Sequence, residues 1–226
     1  RRVMAVDLPP LLDINTTPNA GSSAPYNHVE VGNVVFFVAS TPTSGSELWK
    51  SDGTVSGTVL VKDIRDGSAS SNPSELTNVN GTLFFSATDG VNGTELWKSD
   101  GTPGGTVMVK NISGGSSYPS NLTNVNGSLY FSADDAINGR ELWKSDGTNA
   151  GTVLVKDIRT GSSTSQLFQL TDVNGTLFFV ADDGATGREL WKSDGTAVGT
   201  VLVADTTPGI ANSSMKYFAD VNGTLF

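Results

Sequence analysis

The sequence contains no cysteine, and it has a single histidine, His28, among its 226 residues. Without cysteine there is no disulfide, no thiolate metal site and no cysteine nucleophile. The absence of cysteine does not indicate whether the protein is intracellular or extracellular, because an extracellular protein with a large enough core does not need disulfides. We interpret a lone histidine without a repeated partner as structural. The chain also lacks the Gly-x-Ser-x-Gly, His-Glu-x-x-His and phosphate-loop patterns, and nothing nominates a pair of catalytic carboxylates. We therefore predict that the protein is not an enzyme.

Basic residues and long apolar runs are also scarce. The chain has 14 Lys and Arg against 23 Asp and Glu, a net charge of −9, which argues against nucleic-acid binding. No run of about 18 apolar residues occurs, so we predict no membrane-spanning helix. The first ten residues carry two arginines but too short an apolar core for a signal peptide, which predicts that a signal was removed or never present.

What the sequence does have is the segment Glu-Leu-Trp-Lys-Ser-Asp-Gly-Thr, repeated four times without change. The copies occupy residues 47–54, 95–102, 141–148 and 189–196, and they begin 48, 46 and 48 residues apart. All four tryptophans of the chain lie in this segment. A fixed period of this length is the signature of stacked supersecondary units, among them the four-stranded blades of a β-propeller.

One period contains four short strand-forming segments joined by tight turns. In the second copy these segments are residues 76–79, 82–87, 94–98 and 106–112. The Asn80-Gly81 pair between the first two is the strongest short hairpin signal, because both residues tolerate positive φ. The longest connection, from the fourth segment to the next copy, is rich in Gly, Ser and Pro and reads as a surface loop. Each period therefore predicts an antiparallel four-stranded meander.

We predict an all-β fold, a β-propeller with four whole blades plus a shared or incomplete fifth, as one domain over residues 1–226. The repeat units are approximately residues 15–64, 65–112, 113–158 and 159–206, with a partial unit at 207–226. Residues 11–14 align with a fourth strand and are a candidate closure strand. No fifth Glu-Leu-Trp segment follows Phe226. A longer parent chain with more blades, a truncated chain, or residues 3–8 supplying the missing strand would each explain this, and the first is favoured.

The repeat resembles the ELWxxDGT repeat family of large bacterial secreted or surface proteins. Its wider pattern, a Leu-Phe-Phe strand, an acidic Gly turn, the Trp segment and a Val-Leu-Val-Lys-Asp-Ile strand, is similar in the second and fourth copies. The resemblance covers residues 11–226 and implies a propeller-like fold and a secreted or cell-surface location. It implies no particular chemistry. Residues 40–46 depart from the pattern because they lack the acidic Gly turn, and residues 205–207 replace Lys-Asp-Ile.

The tryptophans and the acidic turns are the candidate sites. The tryptophans either form four platforms for stacking on sugars or pack between blades, and identity in every copy favours packing: Trp49, Trp97, Trp143 and Trp191. The Asp-Gly-Thr that follows each of them is best explained as turn chemistry. The turns before the Trp segments carry carboxylates with an arginine close behind, and they are the speculative ligand rim: Asp89, Asp134, Asp135, Arg140, Asp182, Asp183 and Arg188. We interpret them as acidic turns with a local Arg partner. We predict no cofactor; Ca²⁺ is the one candidate, although the Asp-x-Asp-x-Asp-Gly spacing is absent.

For function, we predict a non-enzymatic extracellular propeller module that serves as a scaffold, adhesion or protein-interaction surface. One alternative is a multivalent carbohydrate-binding lectin. Another is a polymer-forming surface subunit assembled by strand complementation, because an incomplete blade exposes unpaired edges. The predicted partners are a protein or glycan at the cell surface, with self-association through the open blade edge.

Overall fold

The computed structural model describes Ile14 and residues 21–226, and every regular element among them is a β-strand. The strands form four antiparallel four-stranded sheets and one two-stranded sheet, each in simple meander order. This confirms the predicted propeller of four whole blades and an incomplete fifth. The strands are, in chain order, β1 (Tyr26–Val31), β2 (Val34–Thr41), β3 (Gly45–Ser51), β4 (Val59–Lys62), β5 (Ser74–Val79), β6 (Thr82–Thr88), β7 (Thr94–Ser99), β8 (Val107–Lys110), β9 (Ser120–Val125), β10 (Ser128–Asp134), β11 (Arg140–Ser145), β12 (Val153–Lys156), β13 (Phe168–Val173), β14 (Thr176–Asp182), β15 (Arg188–Ser193), β16 (Val201–Ala204), β17 (Asp220–Val221) and β18 (Thr224–Leu225).

The hairpins between the first two strands follow the predicted turn chemistry wherever Asn-Gly occurs, at residues 80–81, 126–127, 174–175 and 222–223. Asn80 and Gly81 have φ of 49° and 83°, the positive values that a type I′ turn requires of both central residues. The Gly81 amide donates to Asn78 Oδ1 at 2.9 Å, and Val79 pairs with Thr82 beside the turn. Asn-Gly at this place therefore sets the register of the hairpin.

The first strand of every blade is the innermost. Strands β1, β5, β9, β13 and β17 contact one another in that order around the centre, and the fourth strands lie outermost. The core is divided into layers between successive blades, which we call seams. In the seam between the first two blades, Phe36 and Leu48 pack against Phe85 and Trp97 of the next blade. A blade buries its apolar faces only against its neighbours, as expected for a stacked repeat.

The outermost strands are shorter than predicted. The expected strand over residues 106–112 is Val107–Lys110. Beyond it, the Ile112 amide donates to the Glu95 side chain, with 3.1 Å between N and Oε2. Because this amide bonds a side chain rather than a neighbouring strand, the chain leaves the sheet early.

The turns between second and third strands lie at the same end of the molecule as the loops that join blades. The Ser46 amide donates to Ser70 Oγ at 2.9 Å, and the Thr94 amide donates to Ser116 Oγ at 3.0 Å. We call this end the loop end. The inner strands begin there, so the rim turns and the start of each inner strand share one face of the propeller.

The predicted closure strand can be followed only at its last residue. Ile14 packs against Phe37, Ala39 and Trp49, as Ile64 packs in the seam of Trp97. Residues 11–13 of that prediction, and residues 3–8, lie outside the described residues. Nowhere in Ile14 and residues 21–226 is there a helix long and apolar enough to cross a membrane.

Candidate functional site

The four tryptophans lie inside the seams. Trp97, Trp143 and Trp191 are each 6% exposed and Trp49 is 9% exposed. Trp97, for example, packs with Leu48 and Phe36 of the preceding blade. Within the described part of the chain, none of the four indole Nε1 atoms has a hydrogen-bond partner. Rings with this little exposure present no face for a sugar in solution to stack on.

The glutamate of each copy is fully buried and holds the loop that leads to the next blade. Glu95 Oε2 accepts from Ser117 Oγ at 2.6 Å, and Oε1 accepts from the Ser117 amide at 3.1 Å. Burial raises the pKa of Glu141 from 4.5 to about 7, against the opposing hydrogen bonds from Ile158 and Ser165. Burial also raises the pKa of Glu47 and Glu95. These carboxyl groups accept hydrogen bonds from the loop that leads to the next blade, and they are buried out of reach of a ligand.

The remaining polar residues of the copy make the turn that follows. Ser99 Oγ lies 2.8 Å from Thr106 Oγ1. Asp100 Oδ1 accepts from the hydroxyl and the amide of Thr102, at 2.7 and 2.8 Å, and these bonds lower the pKa of Asp100. The polar side chains of this turn therefore form hydrogen bonds within the turn itself.

The lysine of each copy joins one blade to the next. Its Nζ donates at 2.8 Å to a glycine carbonyl of the following copy, in the pairs Lys50–Gly101, Lys98–Gly147 and Lys144–Gly195. Lys192, in the last copy, is exposed and makes no such bond within the described residues. Each of these lysines thus forms a hydrogen bond across a seam, and we call this bond the lysine latch.

The predicted rim carboxylates close their own turns. Asp89 Oδ1 accepts the amides of Val91 and Asn92 at 2.9 and 2.8 Å; burial alone would raise its pKa, but these bonds lower it. Asp135 and Asp183 hold the equivalent turns in the same way. Across Ile14 and residues 21–226, no three His, Asp or Glu side chains are arranged so that they could hold a metal ion.

The arginines of the rim do not pair with the carboxylates beside them in sequence. Asp134 accepts the Ala136 amide at 2.7 Å, and Asp182 forms an ion pair with Arg159 of the preceding loop at 2.7 Å. Arg140 Nη1 donates to the Tyr118 carbonyl at 2.7 Å. Arg188 lies 5.9 Å over the ring of Phe168. In the described residues no ion pair forms within either turn, but Asp134 and Asp182 lie opposite Arg140 and Arg188 in the register of their strand pairs. Burial lowers the pKa of Arg140, and the Asp134 charge opposes that change.

The inner strands contain a backbone irregularity that the sequence did not predict. At one equivalent position of each unit a residue other than glycine has positive φ, between 49° and 61°: Asn27, Glu75, Asn121, Gln169 and Tyr217. In the four whole blades it coincides with a shift of register between the first and second strands. Glu75 Oε2 accepts from the Leu122 amide of the next blade at 3.3 Å, and Gln169 Oε1 accepts from the Phe218 amide at 3.2 Å. These side chains bridge inner strands that share no backbone ladder.

A pocket of about 400 Å³ opens where β1 and β5 meet, at the start of the inner strands. It is lined by Asn27, His28, Ser74, Glu75, Leu76, Thr77 and Leu122. Asn27, His28 and Glu75 are exposed. His28 takes the position that an apolar residue takes in the other units: Leu76, Leu122, Leu170 and Phe218. The pocket therefore lies where the repeat is broken.

The pocket brings together a histidine and a carboxylate. Histidine changes charge near neutral pH and can carry a proton to or from a bound molecule. Glu75 Oε2 accepts from the Leu122 amide, and Glu75 lines the pocket. Sequence reasoning missed this site because it interpreted His28 as structural and did not consider Glu75. The available signal was histidine at a position that is otherwise Leu or Phe.

No protein-family model matches the sequence, and no curated protein matches it either. Solved structures are similar in fold. A puromycin hydrolase has a TM-score of 0.52 at 15% identity, with 80% of this chain and 30% of that chain covered. An acylaminoacyl peptidase from Pyrococcus horikoshii has a TM-score of 0.50 at 10% identity, with 81% and 27% covered. An α-L-arabinofuranosidase from Clostridium thermocellum is covered to 79%, but its TM-score of 0.37 carries no argument.

These comparisons correct the predicted function. A non-enzymatic scaffold or adhesion module was expected, with a lectin and a polymer-forming subunit as alternatives. Two chains that share this fold over about four fifths of the sequence are enzymes by name, a hydrolase and a peptidase. These comparisons also contradict the prediction that the protein is not an enzyme. At such low identity the likeness shows the fold alone, and the chain spans less than a third of each of these two proteins.

Proposed function

We propose that the chain acts in the hydrolysis of amide bonds, and that the pocket between β1 and β5 binds the substrate. The observation that carries the proposal is that His28 and Glu75 both line one pocket on the innermost strands. The buried glutamates, the Asp-Gly-Thr turns and the lysine hydrogen bonds recur in several copies and serve the fold. This cluster occurs once.

His28 is the proton carrier in this proposal. Its imidazole takes a proton from a water molecule that attacks the substrate carbonyl, and it returns a proton to the leaving amine. Glu75 lines the same pocket and is the proposed counter-charge for the imidazolium that forms in between. Glu75 is positioned for this by the Leu122 amide and by the irregular inner strand. The choice of amide substrates follows the puromycin hydrolase and the acylaminoacyl peptidase.

The test is hydrolysis of fluorogenic aminoacyl and peptidyl amides by the purified chain. Proton transfer by a positioned side chain contributes about 10²–10⁴-fold in rate, so His28→Gln is expected to lower kcat by at least about 10². Asp66→Asn, which removes an exposed loop carboxylate, is the control and is expected to leave the rate unchanged. Equal rates for the wild type and His28→Gln, or no hydrolysis of any amide by the wild type, would contradict the proposal.

We also propose that the chain belongs with the ELWxxDGT repeat proteins and acts outside the cytoplasm, with a surface protein or glycan as its partner. The four unchanged copies of the eight-residue segment support this. Fractionation of the source cells with an antibody against the chain tests the location. Recovery only with the cytoplasm would contradict it.

A further inference from the structure

Glu75 and Gln169 bridge neighbouring inner strands, and both place an oxygen atom next to the equivalent backbone amide of the following blade. In two units the amide that follows the irregular residue donates to a side chain of the preceding blade. The Leu122 amide donates to a carboxylate oxygen of Glu75 at 3.3 Å, and the Phe218 amide donates to the amide oxygen of Gln169 at 3.2 Å. An oxygen on a trigonal carbon is the acceptor both times.

Leu76 is the equivalent residue in the second blade, and there the bridge is not made. The side chain that would reach it is Asn27, one methylene shorter than Gln169. Asn27 makes no hydrogen bond to Leu76 in the part of the chain that the structure describes, and the pocket lies between these two residues. His28, next to Asn27, lines the same space.

We propose that the Leu76 amide binds a carboxylate oxygen of the ligand, in the place that Glu75 and Gln169 fill in two of the other seams. Backbone amides bind carboxylates strongly because the hydrogen bond is charge-assisted. His28 also lines the pocket and offers an N–H, and a positive charge when protonated. Glu75 is the one carboxylate that lines the pocket, and its Oε2 is turned to Leu122. The ligand class is a short peptide with a free C-terminal carboxylate, a group that backbone amides commonly capture.

This inference rests on the proposed function, because it assigns the substrate class of the same pocket. It is tested by binding and not by turnover. The probe is N-acetyl-trialanine with a free carboxylate, compared with the same peptide amidated at its C-terminus. Titration calorimetry on the wild type is expected to give at least ten-fold weaker binding for the amidated peptide. In a ¹⁵N spectrum the Leu76 amide is expected to shift with the acid peptide.

Asn27→Gln is the sharpest variant, because glutamine already bridges to the next inner strand at position 169. The longer side chain is expected to occupy the Leu76 amide and weaken the acid peptide at least ten-fold. The same substitution at the equivalent position of the third blade, Asn121→Gln, is expected to leave binding unchanged. Equal affinity for acid and amide peptides would overturn the inference, and so would full binding by Asn27→Gln. Peptide binding without any amide hydrolysis would contradict the proposed function alone.

Discussion

The seam between the first two blades and the seam between the second and third are alike in their outer parts and different at the inner strands. In both, a buried tryptophan packs on the preceding blade and a lysine latches the following turn. At the inner strands, Glu75 bridges the second seam, whereas Asn27 leaves the first seam open as a pocket. The repeated residues hold the propeller together, and the site arises where one unit departs from them.

The largest effect should come from breaking the shared part of the seams. Trp97→Ala removes a ring that is 6% exposed, and it is expected to lower the free energy of unfolding by about 3–5 kcal/mol. His28→Ala, at an exposed position of the first seam, should change it by no more than about 0.5 kcal/mol. Urea unfolding followed by circular dichroism measures both. A loss below about 1 kcal/mol for Trp97→Ala would contradict the structural role of the tryptophans.

The buried glutamates should make stability depend on pH. The pKa of Glu141 is about 7 in the folded state against an ordinary value of 4.5, so the folded chain binds the proton more tightly than the unfolded chain. The contribution of Glu141 to stability is then fully present below about pH 4.5 and is lost as the pH rises to about 7. At about 1.4 kcal/mol for each pKa unit, the loss from Glu141 is at most about 3.5 kcal/mol. Glu47 and Glu95 act in the same direction.

Unfolding free energies measured between pH 4.5 and 8 check this. Glu141→Gln should flatten the profile, because the glutamine does not titrate, while Asp66→Asn should leave the slope as it is. A profile that rises steadily through this range would show that hydrogen bonds to the carboxylate outweigh its burial.

The fold was largely predictable, because it depends on local signals that recur. Asn80-Gly81 specifies a type I′ hairpin, and the alternation around Trp97 specifies two buried faces. The outermost strands were predicted too long because the sequence does not show that Glu95 takes the Ile112 amide out of the ladder. That bond joins residues 17 apart whose meeting depends on the finished blade.

The site was less predictable, for a different physical reason. Acidic residues in turns suggested the rim around Asp89 and Asp135, but such residues also accept their own turn amides, and here they do. The pocket lies beside Asn27 and His28, and neither the positive φ of Asn27 nor the lack, in the described residues, of a bridge from it to Leu76 follows from local pattern. Only His28, at a position that is apolar in every other unit, could have pointed to it.

The lysine latches allow a comparison within one motif. Lys98 donates to the Gly147 carbonyl at 2.8 Å, whereas Lys192 is exposed and lacks this bond in the described residues. A hydrogen bond from a charged group contributes about 1.5–3 kcal/mol when it is buried, and partial exposure reduces this. Lys98→Met is therefore expected to cost about 1–2 kcal/mol, and Lys192→Met close to nothing. Equal costs in urea unfolding would mean that the latch adds no stability.

The smallest and most local effect on stability should come from removing the Glu75 bridge, so that the second seam lacks a bridge as the described part of the first seam does. Glu75→Ala removes the acceptor of the Leu122 amide, a bond of 3.3 Å at the surface, and is expected to cost about 0.5–1 kcal/mol. Glu75→Gln should restore most of this, because Gln169 makes the same bridge. Hydrogen exchange resolves the difference: 1 kcal/mol corresponds to about a five-fold faster exchange of the Leu122 amide if it opens locally. The Leu76 amide, which no side chain bridges, should exchange alike in both variants. If Leu122 exchanged at its wild-type rate in Glu75→Ala, the bridge would not protect it, and the openness of the first seam would need another cause than the length of Asn27.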